Sequence, residues 1–184
     1  MARIHPIEPP YDDDTRRLFD LAMPPGMDPL LLFRVMARSG RVFPRFMRGG
    51  VLDRGPVPIR DRELVIHRTT ANCGAEYEWG VHVAAFGRPL GLGDELLRAT
   101  IDGAADDPAF DARQSTLVRL CDELHATSRI SPATWTALEA HYDAEQILEL
   151  IYTVGLYHVV SFMVNGLELE PEPFAVRFDD LRSR

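Results

Sequence analysis

Glu63, Glu78 and His82 are the side chains best placed by type and spacing to move protons in this 184-residue chain. Glu78 and His82 are four residues apart, so on a helix they share one face. A carboxylate beside an imidazole shares or relays a proton near neutral pH. Glu63 belongs to the preceding apolar segment, so all three meet only where two helices cross. The stretch also repeats a Glu-x-x-x-His spacing, at Glu63–His67 and Glu78–His82, and two Glu with two His can hold a divalent cation. No metal is assigned on that basis. The Glu-x-x-His spacing of di-iron bundles is absent, and His67 reads as a helix-surface residue.

The elements that must position these groups form a hairpin over residues 60–88. Asp61 or its predecessor caps a helix running to about Ala71. Asn72-Cys73-Gly74 then closes it, since Gly and Asn tolerate a left-handed closing residue. A second helix runs from about Ala75 to Phe86 and stops at Gly87-Arg88-Pro89. Around this hairpin, Asp12, Asp13 or Asp14 caps a short helix carrying Leu18 and Phe19, and Asp28-Pro29 reads as a cap with proline at the first helical position. Gly93-Asp94, the start at Ala112, Ser131-Pro132 and Asp143 open four more helices. The last is apolar on nearly every side from Ile147 to Val164, which predicts a central, buried helix. The proline- and acid-rich tail from Glu170 either lies over the surface or packs on a partner. No alternating strand pattern occurs, so the chain reads as all-α, one domain over 1–184.

Composition narrows the function. The net charge of −8 disfavours nucleic acid and anionic membrane surfaces as partners, since both need a basic face. All 20 Lys+Arg residues are Arg, which removes a lysine Schiff base. Two cysteines, Cys73 and Cys121, are too few for a secreted disulfide scaffold, and no signal peptide is visible. The apolar run Ile147 to Leu169 is interrupted by Glu149, Tyr152, His158 and Asn165, as in a buried helix. A cytoplasmic protein acting on a small molecule is the expectation. Cys121 reads as core, while His125, His141 and His5 carry no pattern.

The residues then bring a resemblance. Arg62-Glu63-Leu64-Val65-Ile66, Tyr77-Glu78-Trp79 and His82 resemble the signature hairpin of the carboxymuconolactone decarboxylase family, which includes the alkylhydroperoxidase D-like proteins. Gly91 to Leu97 and the segment Asp143 to Leu167, ending Val164-Asn165-Gly166-Leu167, resemble that family's turn and last long helix. The likeness spans roughly residues 30–170. It implies an alkylhydroperoxidase D-like helical bundle that assembles as a dimer or trimer, with Leu30 to Val35 and the tail as candidate contact surfaces. In the peroxidase branch the motif is CxxCxxxH with an upstream glutamate. Aligning on His82 puts Ala75 and Glu78 at the two thiol positions and Glu63 at the glutamate. Dithiol peroxide reduction needs an attacking and a resolving thiol, so it is disfavoured, and Cys73 lies two residues too early to substitute.

The decarboxylase branch needs no cysteines and no cofactor. The resemblance therefore implies acid–base lyase chemistry on a small carboxylated or lactone-like metabolite. Glu78 and His82 would transfer protons and Glu63 would orient His82. Arg62 or Arg68 would hold a substrate carboxylate, with Tyr77, Trp79 and His158 lining the pocket. A non-catalytic small-molecule-binding oligomer is the alternative.

Overall fold

A computed structural model describes residues 2–183 as ten α-helices, with no β-strand among those residues. They are α1 (Asp13–Ala22), α2 (Leu31–Met36), α3 (Val42–Arg48), α4 (Ile59–Asn72), α5 (Glu76–His82), α6 (Asp94–Asp102), α7 (Ala112–Thr127), α8 (Pro132–Glu139), α9 (Ala144–Gly166) and α10 (Phe178–Arg182). A π-helical turn, Val83–Gly87, extends α5.

The buried centre is α4, not α9. Every residue of α4 from Asp61 to Thr70 is buried, and the helix packs against α5, α6, α7 and α9. The sequence hides this because α4 carries five charged or ionisable residues in that span, which read as surface. They are tolerated inside because nearly all are paired. Arg113 and the Tyr142 hydroxyl both donate to Asp61, and Arg68 makes a two-pronged pair with Asp122. By contrast α9 buries only one face, through Ile147, Leu150, Val154, Tyr157, Val160 and Val164, at helical spacing. Its other face leaves Leu148, Tyr152, Val159 and Phe162 exposed. By length and composition α9 is long and apolar enough to cross a membrane; here its buried face packs on α4, α5 and α8.

The hairpin turn follows the sequence reading. Gly74 takes φ +62°, a region that costs a residue with a Cβ, and Ala75 donates back to the Thr70 carbonyl at 2.8 Å. The Asp12, Ser131 and Asp143 side chains each accept from the backbone N–H three residues on, as N-caps should.

Two expected caps do not form. Asp28 caps nothing: α2 begins at Leu31, whose N–H donates to the distant Glu172 carboxylate at 2.5 Å. Asp61 sits in the first turn of α4, which starts after Pro58 with no side-chain cap, because Asp61 is committed to Arg113 and Tyr142. In both cases a long-range partner outcompetes the local one.

The tail packs on its own chain. Glu172 accepts from the Tyr77 hydroxyl at 2.6 Å, Phe178 N–H donates to Glu76 at 2.8 Å, and Arg182 grips Asp102 at 2.8 and 2.6 Å. Gly80 allows this approach. A Cβ there would lie 2.1 Å from the Val176 carbonyl oxygen.

Candidate functional site

Three helices bring the proton-handling groups together. Glu63 projects from the middle of α4, Glu78 and His82 from α5, and Tyr157 from α9. His82 Nδ1 lies 2.8 Å from Glu63 Oε2, and its Nε2 lies 3.0 Å from the Tyr157 hydroxyl and 3.4 Å from Glu78 Oε1. Phe86, one turn on and within the π-helical turn, stacks on the imidazole at 5.1 Å between centroids. The ring is thus fixed by a carboxylate on one nitrogen, a phenol on the other and an aromatic face. Turns of π-helix often accompany functional groups, because the extra residue re-aims side chains.

The electrostatics follow from this geometry. Burial opposes charge on His82, but the charges and hydrogen bonds of Glu63 and Glu78 outweigh it and raise its pKa to about 9. At neutral pH the ring is therefore an imidazolium that donates from Nδ1 to Glu63. Burial pushes the Glu63 carboxyl up, yet His82 prevails and holds it below the usual range. The Tyr157 phenol is driven well above its ordinary value by burial and by the two carboxylates, so it keeps its proton. When His82 Nε2–H points at the Tyr157 oxygen, the phenolic hydrogen is free for another acceptor. Glu78 Oε2 is buried without a hydrogen-bond partner among the described residues. Glu63 Oε1 is the other such acceptor in the cluster, with Arg62 Nε 3.5 Å away.

His67 corrects the sequence reading. It is fully buried, not on the helix surface. It lies edge-on to His82 at 6.4 Å between centroids, and neither ring nitrogen has a hydrogen-bond partner of normal geometry. Burial and the neighbouring His82 charge lower its pKa to about 4, so it is a neutral wall of the site. The cation cage that the repeated Glu-x-x-x-His spacing suggested does not assemble. Helical spacing alone could not show that α4 turns all its faces inward.

The residues expected to line the pocket separate. Arg62 donates to the carbonyls of Val51 and Asp53 at 3.0 and 2.9 Å, and its Nε stands 3.5 Å from Glu63 Oε1. It ties the loop before α4 to the site. Arg68 is spent on Asp122, at 2.6 and 2.9 Å, and on the Thr100 carbonyl at 3.2 Å, so its fork is not offered to a substrate. Trp79 is wholly buried with its indole N–H on Thr100 at 3.1 Å. Tyr77 bridges Glu172 and the Leu32 N–H. His158 lies away from His82, beside His125. These five residues differ from Glu63, Glu78 and His82 in having structural partners of their own. Tyr157 is the site residue that no motif in the sequence announces. The available signal was its place on the buried 3–4 stripe of α9, seven residues after Leu150 and seven before Val164.

Recesses open on the surface of the described residues. One of about 280 Å³ lies between α1 and the Pro24–Pro29 turn, remote from the site. Another, of about 430 Å³, lies between residues 52–59 and Arg62. Arg62 lines that recess and stands 3.5 Å from Glu63, the one link between the recess and the cluster that its lining residues provide.

No family model matches the chain, and no curated protein does. Solved structures do. An uncharacterized peroxidase-related protein from Silicibacter sp. TM1040 is 16% identical with a TM-score of 0.81, over 96% of this chain and 95% of that one. An alkylhydroperoxidase AhpD core, an uncharacterized peroxidase-related protein from Ralstonia eutropha JMP134, is 17% identical with a TM-score of 0.81, over 94% and 93%. A protein of unknown function from Agrobacterium tumefaciens is 16% identical with a TM-score of 0.68, over 74% and 94%. At such identities the likeness speaks to architecture, and the chain has the all-α, alkylhydroperoxidase D-like fold.

Proposed function

We propose that the chain is a cofactor-independent acid–base catalyst of the carboxymuconolactone decarboxylase type, acting on a small carboxylated or lactone-like metabolite. The observation that carries this reading is the imidazolium of His82, held by Glu63 on one nitrogen and presented to Tyr157 and Glu78 on the other. In a decarboxylation the carbon–carboxylate bond breaks, CO2 leaves, and the electron pair moves onto the conjugated carbonyl oxygen as an enolate. The free phenolic hydrogen of Tyr157 supplies a donor for that oxygen. His82 Nε2–H then protonates the enolate carbon, and a pKa of about 9 keeps the proton on the ring until it is needed. Glu63 stabilises the imidazolium as the carboxylate of a catalytic triad does. Glu78, with its open Oε2, relays a solvent proton back to the ring.

The test is turnover on a panel of lactone acids and β-keto acids, followed by CO2 release. His82→Ala should lower kcat by roughly 100- to 10,000-fold, the usual worth of a positioned acid. Turnover unchanged in that variant would remove the mechanism. Ligand-induced thermal shifts with no turnover on any substrate would favour the non-catalytic binding reading instead.

The similar structures, two of them of peroxidase-related proteins, bring peroxide reduction as a second reading. The chain offers it little. Ala75 and Glu78 occupy the matched thiol positions, and both cysteines are free. Burial raises the Cys73 thiol above its ordinary pKa and the Cys121 thiol to about 12, which withholds the nucleophilic thiolate. Peroxide consumption lost in Cys73→Ser would revive it.

A further inference from the structure

Outside the proton-handling cluster, the fold gathers three metal-ligating side chains that the sequence keeps 33 to 85 residues apart. Cys73 closes α4, His125 lies in the last turn of α7, and His158 lies on the part of α9 that passes both. Their ligand atoms all fall within 4.8 Å of one another. We propose that Cys73, His125 and His158 form a zinc site with one position left open to solvent.

The ligand chemistry selects the ion. One thiolate and two imidazoles suit zinc, whereas magnesium and calcium take oxygen ligands. The spacing is close to what zinc requires. At tetrahedral angles, bond lengths of roughly 2.05 Å to nitrogen and 2.3 Å to sulfur put two nitrogens about 3.4 Å apart and nitrogen and sulfur about 3.6 Å apart. Here His125 Nδ1 and His158 Nε2 are 3.0 Å apart, and His125 Nδ1 and Cys73 Sγ are 3.8 Å apart. For these two pairs, shifts of a few tenths of an ångström in exposed or half-buried side chains close the difference, and Cys73 Sγ lies within 4.8 Å of the His158 ligand nitrogen.

The surroundings orient the ligands. His158 Nδ1–H donates to the Val154 carbonyl at 2.8 Å, which fixes the tautomer and leaves the Nε2 lone pair aimed at the cluster. A backbone carbonyl on the far nitrogen is the usual support for a metal-binding histidine. The Asn165 amide holds the Cys73 carbonyl at 2.8 Å, which anchors the loop that presents the thiol. Asp122, one turn before His125, is engaged by Arg68 and Asn72, so it is not the fourth ligand. His125 is exposed, and the open position therefore faces water. On binding, zinc takes the Cys73 sulfur as thiolate, and the thiol proton leaves to solvent.

The proposal is independent of the acid–base reading. The experiment uses the untagged full-length chain, stripped with chelator and titrated with Co²⁺ and then Zn²⁺. We expect one metal per chain, a thiolate-to-cobalt charge-transfer band in the near ultraviolet, and loss of that band when Zn²⁺ displaces Co²⁺. Cys73→Ser should abolish the band, and His125→Ala, at an exposed position that threatens no core packing, should weaken zinc at least 10- to 100-fold. His82→Ala should keep both stoichiometry and band, which separates this site from the Glu63–His82 cluster. Absence of the band in the native chain, or zinc affinity unchanged in both Cys73→Ser and His125→Ala, would overturn the assignment.

Discussion

Replacing Glu63 with Gln tests the electrostatic core of the site, because it keeps the shape and removes one charge. The ordinary histidine pKa of 6.5 rises to about 9 at His82, although burial alone would lower it. A rise of that size corresponds to roughly 3 kcal/mol of preferential stabilisation of the imidazolium in the folded chain. The sign is fixed by linkage. Because the folded pKa lies above the unfolded one, this stability is fully present below pH 6.5 and is lost as pH climbs through about 9. Between pH 7 and 9 the native protein should therefore lose about 2–3 kcal/mol, at a slope approaching 1.4 kcal/mol per pH unit. In Glu63→Gln, burial regains the upper hand and His82 should titrate at or below its ordinary value. The variant should be roughly 3 kcal/mol weaker at pH 6 and lose little more by pH 9. Urea unfolding at stepped pH reads the stability, and the His82 Cε1–H resonance reads the titration. The cysteines are common to both proteins, so their own alkaline titration cancels in the comparison. A native stability that is flat from pH 7 to 9, or a Glu63→Gln protein whose His82 still titrates above pH 8, would refute this account.

Three further outcomes follow from the packing. Gly80→Ala places a methyl 2.1 Å from the Val176 carbonyl oxygen, which must lift the tail from α5 at a cost of about 1–3 kcal/mol; faster amide exchange confined to residues near Val176 is the expected readout, and unchanged exchange would contradict it. Arg68→Lys loses the two-pronged pair with Asp122 and the bond to Thr100, and should lower the urea midpoint by an amount equivalent to about 1–3 kcal/mol, whereas an unshifted midpoint would show that the pair is not worth its geometry. His67, with its pKa lowered to about 4, contributes stability above pH 6.5 that is lost as pH falls toward 4, so His67→Leu should flatten the acid limb of a melting-temperature profile; an acid limb identical to the native one would show that His67 does not set it.

What could be read from the chain, and what could not, divides along the range of the interaction. The Ser131 and Asp143 caps and the Gly74 turn are local, and each stands where the spacing put it, while Asp12 takes the cap that Asp12, Asp13 and Asp14 all offer. The hairpin carrying Glu63, Glu78 and His82 is local too, so its helices and its order were legible. Their meeting at 2.8 Å was not, since it depends on how α4 and α5 cross. The failures are long-range. Asp28 lost its cap because Glu172, 144 positions away, supplies the acceptor at α2 instead. Arg62 and Arg68 looked available to a substrate because nothing nearby in sequence announced the Val51 and Asp53 carbonyls or Asp122. The centrality of α4 was masked by its charges, and that of α9 overstated by an apolar face that the described chain leaves exposed.

That reversal bears on what the cluster is for. A helix at the centre of a fold gains most from apolar side chains, and replacing buried ion pairs by well-packed hydrophobes is commonly neutral or stabilising. Yet α4 carries Glu63 and His67 into complete burial, with Glu63 Oε1 and both His67 nitrogens lacking hydrogen-bond partners among the described residues. Each such group costs on the order of 1–3 kcal/mol. A purely structural explanation would require a closed network in which every buried polar atom is satisfied. The Glu63–His82–Glu78 cluster is not closed: Glu63 Oε1, Glu78 Oε2 and the Tyr157 hydrogen have no hydrogen-bond partner among the described residues, while both imidazole nitrogens are engaged. A network that fixes its imidazole on both nitrogens yet leaves carboxylate oxygens without donors stabilises the fold less than it positions a proton, and that imbalance favours chemistry over architecture.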